Sequence, residues 1–234
     1  MAEFNITLPE GRIVQGHPVD RQPVMDEKGK QVIENGEGKT QTFFATAIPK
    51  GQEQSWKQTE WGAQIVLAAK DPEHGYPNGE YESPTFSWKV EDGDSNITNK
   101  NGIKKCAREG FPGNWIVKCS TNFDVPCYPA DNIVDDARYT AFTKAQNPEE
   151  YPKVGDYIRV ALRVRGNKPA KSPGVYMNPI ATIKTRSGVA ISTGGAPASA
   201  SEVAGLFGAT PTPSAHPATP APSAPSTPPA PPAP

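Results

Sequence analysis

The chain has 234 residues, 27 prolines and a formal charge of −1, averages that conceal two kinds of polymer. Residues 187–234 hold 12 of the prolines and one charged residue, Glu202, whereas 1–186 carry 24 basic and 24 acidic groups. No run of about 18 apolar residues exists, which excludes a transmembrane helix. The three cysteines, Cys106, Cys119 and Cys127, have spacings that fit no zinc site.

Residues 1–10 lack a basic start followed by an apolar stretch, so no secretory signal is expected. The glycosylation triplets at 5–7 and 96–98 are then coincidental, and the thiols are expected to be reduced and buried in a cytoplasmic protein. Residues 11–20 alternate briefly and predict a strand. The Gly- and charge-rich 26–39 predicts a loop or hairpin connection. The β-branched and aromatic 39–48 (KTQTFFATAI) predicts a strand, closed by Pro49-Lys50-Gly51. Residues 53–70 are the best helix, with Trp61, Ile65, Ala68 and Ala69 on one face and Asp71-Pro72 as the stop.

A loop over 71–84 leads to a strand at 85–91, with Phe86, Trp88 and Val90 on one side. A polar loop, 93–113, carries Lys100, Lys104, Lys105 and Arg108. A strand follows at 114–121, with Trp115 sharing the side of Val117 and Cys119; both Trp88 and Trp115 are expected in the core. Residues 126–152 are irregular, with a short helix near 139–145, and strands at 156–165 and 174–186 complete the pattern. The result is a mainly β chain: a small β-barrel with one main helix and long loops. Residues 187–234 cannot bury enough apolar surface to offset chain entropy and are expected to form a disordered Pro/Ala-rich tail.

Several motifs imitate sites. Gly36-Glu37-Gly38-Lys39-Thr40 resembles the end of a phosphate-binding loop, but Ile33 stands where a glycine is needed. Asp92-Gly93-Asp94-Ser95-Asn96 starts like a calcium loop, but Ile97 and Ile103 occupy the glycine and glutamate positions. His17, His74 and His216 assemble into no catalytic triad. Asp135 and Asp136 could hold a metal for nuclease chemistry, though nothing separates them from a solvated turn. No metal, cofactor or catalytic set is expected.

Charge is more informative. Residues 153–186 hold eight basic groups and one acid, Asp156, while 1–152 carry 16 basic and 23 acidic groups. A +7 segment set against a −7 remainder can present a basic face to an anionic partner. In the strand over 156–165, Ile158, Val160, Leu162 and Val164 form one apolar row, leaving Tyr157, Arg159, Arg163 and Arg165 on the other side. Guanidinium groups contact phosphates and stack on bases, and a phenol ring stacks on any base, which is what a single nucleic-acid strand needs. Tyr176, Lys184 and Arg186 share a parity on the next strand, and Lys104 and Lys105 add loop cations. Phe43 and Phe44 are adjacent, so one of them faces outward as a stacking candidate.

The run YPKVGDYIRVALRVRGN (151–167) with KSPGVYMNP (171–179) resembles single-stranded-DNA-binding proteins of tailed bacteriophages. Shorter stretches at 87–95, 113–121 and 200–208 are similar to the same group. The resemblance implies an oligonucleotide-binding (OB) fold over 1–186. It also implies sequence-tolerant coating of single-stranded DNA in phage replication and recombination, without enzymatic activity. One departure is the uncharged ending TPPAPPAP, where such proteins often carry an acidic tail; a Pro-rich segment is extended and could act as a spacer or engage replication partners. The rival expectations are a virion structural or interaction protein with a Pro-rich stalk, and a metal-dependent nuclease.

Overall fold

Alternating side-chain character sets most of the strands, and departures from it mark where both strand faces are covered. The computed structural model describes residues 4–26, 28–99, 102–130, 141, 148–168 and 172–191. The helix expected near 139–145 (Ala141 excepted), the Asp135–Asp136 pair, Lys100, Lys171 and residues 192–234 lie outside them.

Among the described residues the strands in chain order are β1 (Phe4–Thr7), β2 (Gly11–Pro23), β3 (Ile33–Glu34), β4 (Glu37–Gly38), β5 (Thr40–Pro49), β6 (Val90–Asp92), β7 (Asn114–Thr121), β8 (Cys127–Pro129), β9 (Tyr157–Gly166) and β10 (Val175–Arg186), with one α-helix, α1 (Glu60–Lys70). The main sheet runs β6-β7-β5-β2-β9-β10-β8, and β1 pairs with β9. Thus β2 is bonded to both β5 and β9, β5 continues to β7, and β9 forms an antiparallel pair with β10. This is OB-type connectivity. The sheet is open rather than a closed barrel. Its two sides meet at one parallel bridge, where Ser87 N donates to Pro173 O (2.9 Å) and Val175 N donates to Ser87 O (3.0 Å). A longer ladder fails because the strand expected over 85–91 is shortened to β6: Lys89 takes φ 61°, which breaks the extended run.

β1 went unread in the sequence because a strand this short has little periodicity of its own. Its place comes from β9, whose free edge it covers from Ala161 to Val164. The 26–39 connection folds back as the β3–β4 hairpin, where Asn35 and Gly36 both take positive φ (53° and 84°), the pair that a two-residue hairpin turn favours. The expected 53–70 helix divides. Trp56–Gln58 form a 3-10 turn, and α1 starts only after Thr59, whose Oγ1 accepts from Gly62 N at 3.0 Å. Gly62 is required there, since a Cβ would stand 1.8 Å from Trp56 O.

The main core packs Trp61, Ile65, Ala68 and Ala69 of α1 against Ile158, Val160, Leu162 and Val164 of β9 and Phe44, Ile48, Trp115 and Val117 of the sheet. A second cluster of Val14, Ala45, Ala47, Phe111, Ile116 and Ile191 covers the other face of β2, β5 and β7. Ordered packing therefore extends past Arg186 to Ile191, and Arg12 Nη2 donates to Val189 O at 2.6 Å. Among the described residues no helix is long and apolar enough to cross a membrane.

The β9–β10 register shifts between Pro179 and Ala181 and again between Lys184 and Arg186. A one-residue shift turns every later side chain to the other face. Lys184 therefore lies opposite Ile158 and points inward, contrary to the outward position expected from its parity with Tyr176. It is 7% exposed, sits 2.9 Å from the fully buried Asp156 and donates to Glu150 O at 2.9 Å. Asp156 also accepts from Lys153 N and Gly188 N, which fastens the turn before β9 and the segment after β10. Removing one partner of such a pair leaves an uncompensated buried charge. Lys184→Met is expected to lower unfolding free energy by about 3–5 kcal/mol in urea titration. The exposed Arg159→Ala should stay within ~0.5 kcal/mol of wild type in the same assay.

Candidate nucleic-acid interface

β9 and β10 present their outward residues in register, Arg165 opposite Tyr176 and Arg163 opposite Asn178. Arg159, Arg163 and Arg165 are all exposed, because Ile158, Val160, Leu162 and Val164 occupy the core side at 2% exposure or less. At roughly 3.3 Å of rise per residue, Arg159 and Arg165 stand ~20 Å apart along the strand. The Arg165 guanidinium is 5.9 Å from the Tyr176 ring centroid, and Tyr176 is 44% exposed.

The far end of this pair opens into a cleft of about 700 Å³, lined by Arg163, Arg165, Tyr176, Phe4 and Ile180 together with the Thr121–Asp124 turn after β7. Phe123 is 78% exposed at that turn. Its backbone is fixed: Thr42 Oγ1 donates to Phe123 O (3.2 Å), and Phe123 N donates to Thr121 Oγ1 (3.3 Å). Asp124, the one carboxylate in the lining, lies 3.8 Å from Arg21 on β2. The cleft thus combines two strand-borne guanidinium groups with two exposed rings, on supports that are themselves hydrogen-bonded.

The other expected residues are not gathered there. Tyr157 and Arg186 sit at the opposite end of β9, engaged with each other: the Arg186 guanidinium is 3.3 Å from the Tyr157 ring centroid and donates to Glu10 at 3.0 and 3.1 Å. The Thr185 hydroxyl also donates to Glu10 at 2.6 Å. This bond, with the Arg186 contacts, outweighs desolvation and holds the Glu10 carboxyl below its ordinary pKa. Lys104 is exposed on the loop before β7. Lys105 pairs with Glu91 at 3.1 Å, and Lys118 also binds Glu91. Burial pushes the Glu91 carboxyl up, but the two lysines more than reverse it. Neither Lys104 nor Lys105 lines the cleft.

Phe44 is fully buried, opposite Cys119 in the core, and is no stacking surface; Phe43, opposite Ser120, is the half-buried outward ring. Trp115 is core as expected, whereas Trp88 is half-buried with the Lys57 ammonium 4.4 Å above its ring. The calcium-like loop is closed by a cation of the chain itself: Lys50 Nζ binds Asp92 and lies 2.7 Å from Asp94. Lys39 of the phosphate-loop imitation pairs with Glu34 at 3.1 Å. All three cysteines are free; Cys119 and Cys127 are buried, which raises both thiols, and Cys106 is half-buried.

Phe123 and Phe4 were missed in the sequence. Phe123 left a usable signal: an aromatic ring inside the polar Thr121-Asn122-Phe123-Asp124 run has no strand to bury it. Phe4 left none, because its position depends on β1 pairing with β9.

No family model and no curated protein matches the chain. Solved structures do. The single-stranded DNA-binding protein from bacteriophage Enc34 in complex with ssDNA gives a TM-score of 0.52 at 14% identity, covering 78% of this chain and 86% of that one. A second structure of the Enc34 protein gives 0.53 at 14% identity over 84% and 89%. Its C-terminal truncation gives 0.50 at 15% identity over 78% and 85%. The likeness establishes a shared fold over most of the described chain.

The two neighbouring phenylalanines are separable by experiment. Phe44→Ala is expected to cost about 3–5 kcal/mol of stability in denaturant titration, as a large core truncation does. Phe43→Ala should cost clearly less, and equal losses would show that β5 presents the opposite face.

Proposed function

We propose that this protein binds single-stranded DNA without sequence preference, coating it and keeping it unpaired during replication and recombination of a phage genome in the host cytoplasm. The observation that carries this reading is the convergence of Arg163, Arg165, Tyr176 and Phe123 on one cleft. The fold supports it, being shared with a phage protein solved in complex with ssDNA. Guanidinium groups follow the phosphates and rings stack on bases, each stacked base contributing roughly 1–3 kcal/mol. Neither contact reads base identity, and the task needs no catalysis or cofactor. The binding part is taken to run through the packed segment to Ile191, and the Pro/Ala-rich residues after it as an extended spacer that could also reach replication proteins.

Fluorescence anisotropy with single-stranded and duplex oligonucleotides at two salt concentrations tests the reading. The single strand should bind tighter, with a log–log salt slope of about −0.7 per neutralised phosphate. Arg163→Ala combined with Arg165→Ala should weaken binding to all sequences alike and lower the slope magnitude by about 1.4. Salt-independent affinity, or no binding of single strands at all, would sink the proposal; the latter fits a structural or interaction protein.

A further inference from the structure

A second cleft, of about 420 Å³, opens beside α1, lined by Lys57, Lys70, Tyr81, Phe86, Trp88 and Glu82 among others. It is built differently from ordinary charged surface. The Lys57 ammonium lies 4.4 Å from the Trp88 ring centroid and 5.8 Å from that of Trp56, and the Lys70 ammonium lies 5.1 Å from that of Tyr81. Neither lysine is ion-paired with a carboxylate among the described residues. The rings are held by packing: Trp88 against Phe86 at 4.6 Å and Trp56 at 5.4 Å, and Tyr81 against the main core. Fixed rings beside unpaired ammonium groups match a polymer that alternates planar bases with phosphates.

The walls of the two clefts are tied together by the loop after α1. His74 lines the first cleft and follows closely on Lys70, which lines the second. Gly166 N donates to His74 O at 2.7 Å, tying the end of β9 to the loop after α1. Between the clefts Tyr76 donates to Asn167 Oδ1 at 2.5 Å, carries the Lys168 ammonium 5.4 Å from its ring centroid and meets Phe86 edge-on at 5.4 Å. Tyr76 is itself buried, so it serves as the support that ties Lys168 and the end of β9 to Phe86 and Trp88 of the second cleft.

We propose that a DNA strand held in the first cleft continues past Lys168 into the second, so that the α1 side forms the distal half of one binding path. This rests on the single-stranded-DNA reading above. Short strands fill the first cleft alone, and only longer strands reach Lys57 and Lys70.

The test uses the full chain, oligothymidylates of about 6 and about 25 nucleotides, and the double variant Lys57→Gln with Lys70→Gln, both exposed positions. The variant should bind the long strand at least about tenfold more weakly at low salt. Its slope magnitude should fall by about 1.4, and short-strand affinity should match wild type. Unchanged long-strand affinity and slope overturn the proposal, as does equal weakening for both lengths. An Asp/Glu-rich peptide that binds wild type but not the variant, with DNA binding unaltered, overturns it in favour of protein docking. If wild type binds neither oligonucleotide, both this path and the function it rests on fall together.

Discussion

The period of two along β9 is the constraint on which the rest of the molecule depends. Four aliphatic side chains at alternate positions must leave water, and burying each is worth roughly 1.5–3 kcal/mol. That burial fixes which way the backbone faces, and the three arginines at the alternate positions have only the outer side to occupy. β9 is also the strand on which others are assembled: β10 covers one edge, while β1 and the start of β2 share the other. Core and candidate interface are thus two faces of one decision.

β10 shows how such a decision is undone locally. With two register shifts it sends Tyr176 and Arg186 outward but Lys184 inward, although all three have even numbers. The inward lysine is tolerated because Asp156 lies beneath it and because the remaining bonding capacity of both groups is used by backbone partners. The pair is less a source of net stability than a clasp, joining the turn before β9 to the segment that follows β10.

Two kinds of surface cation can be told apart by whether a carboxylate neutralises them. Arg186, Lys50, Lys105 and Lys39 are each already matched by a carboxylate: Glu10, the Asp92–Asp94 pair, Glu91 and Glu34. Arg186 and Lys50 also lie over rings, Tyr157 and Trp115, but Arg165, Lys168, Lys70 and Lys57 have a ring alone, Tyr176, Tyr76, Tyr81 and Trp88, with no carboxylate pair among the described residues. A cation–π contact orients a cation without neutralising it, so these groups keep their charge for an anionic ligand. Net charge alone could not separate the two kinds, because it counts them equally.

By itself the sequence determined the main strands, the core row of β9 and the outward placing of Arg159, Arg163 and Arg165. Each follows from local periodicity and the cost of leaving aliphatic surface in water. The helix was legible too, though not the Thr59 cap that delays its start. Only the tertiary structure decided the rest. It placed β1, whose residues carry no pattern without β9 beside them, and it turned Lys184 inward through bulges that even spacing cannot reveal. It put Phe44 rather than Phe43 in the core, because β5 is apolar on both faces and alternation gave no preference. It also brought Phe123 and Tyr176, far apart in the chain, to one cleft, since proximity across a sheet depends on strand order and not on any stretch of residues read alone.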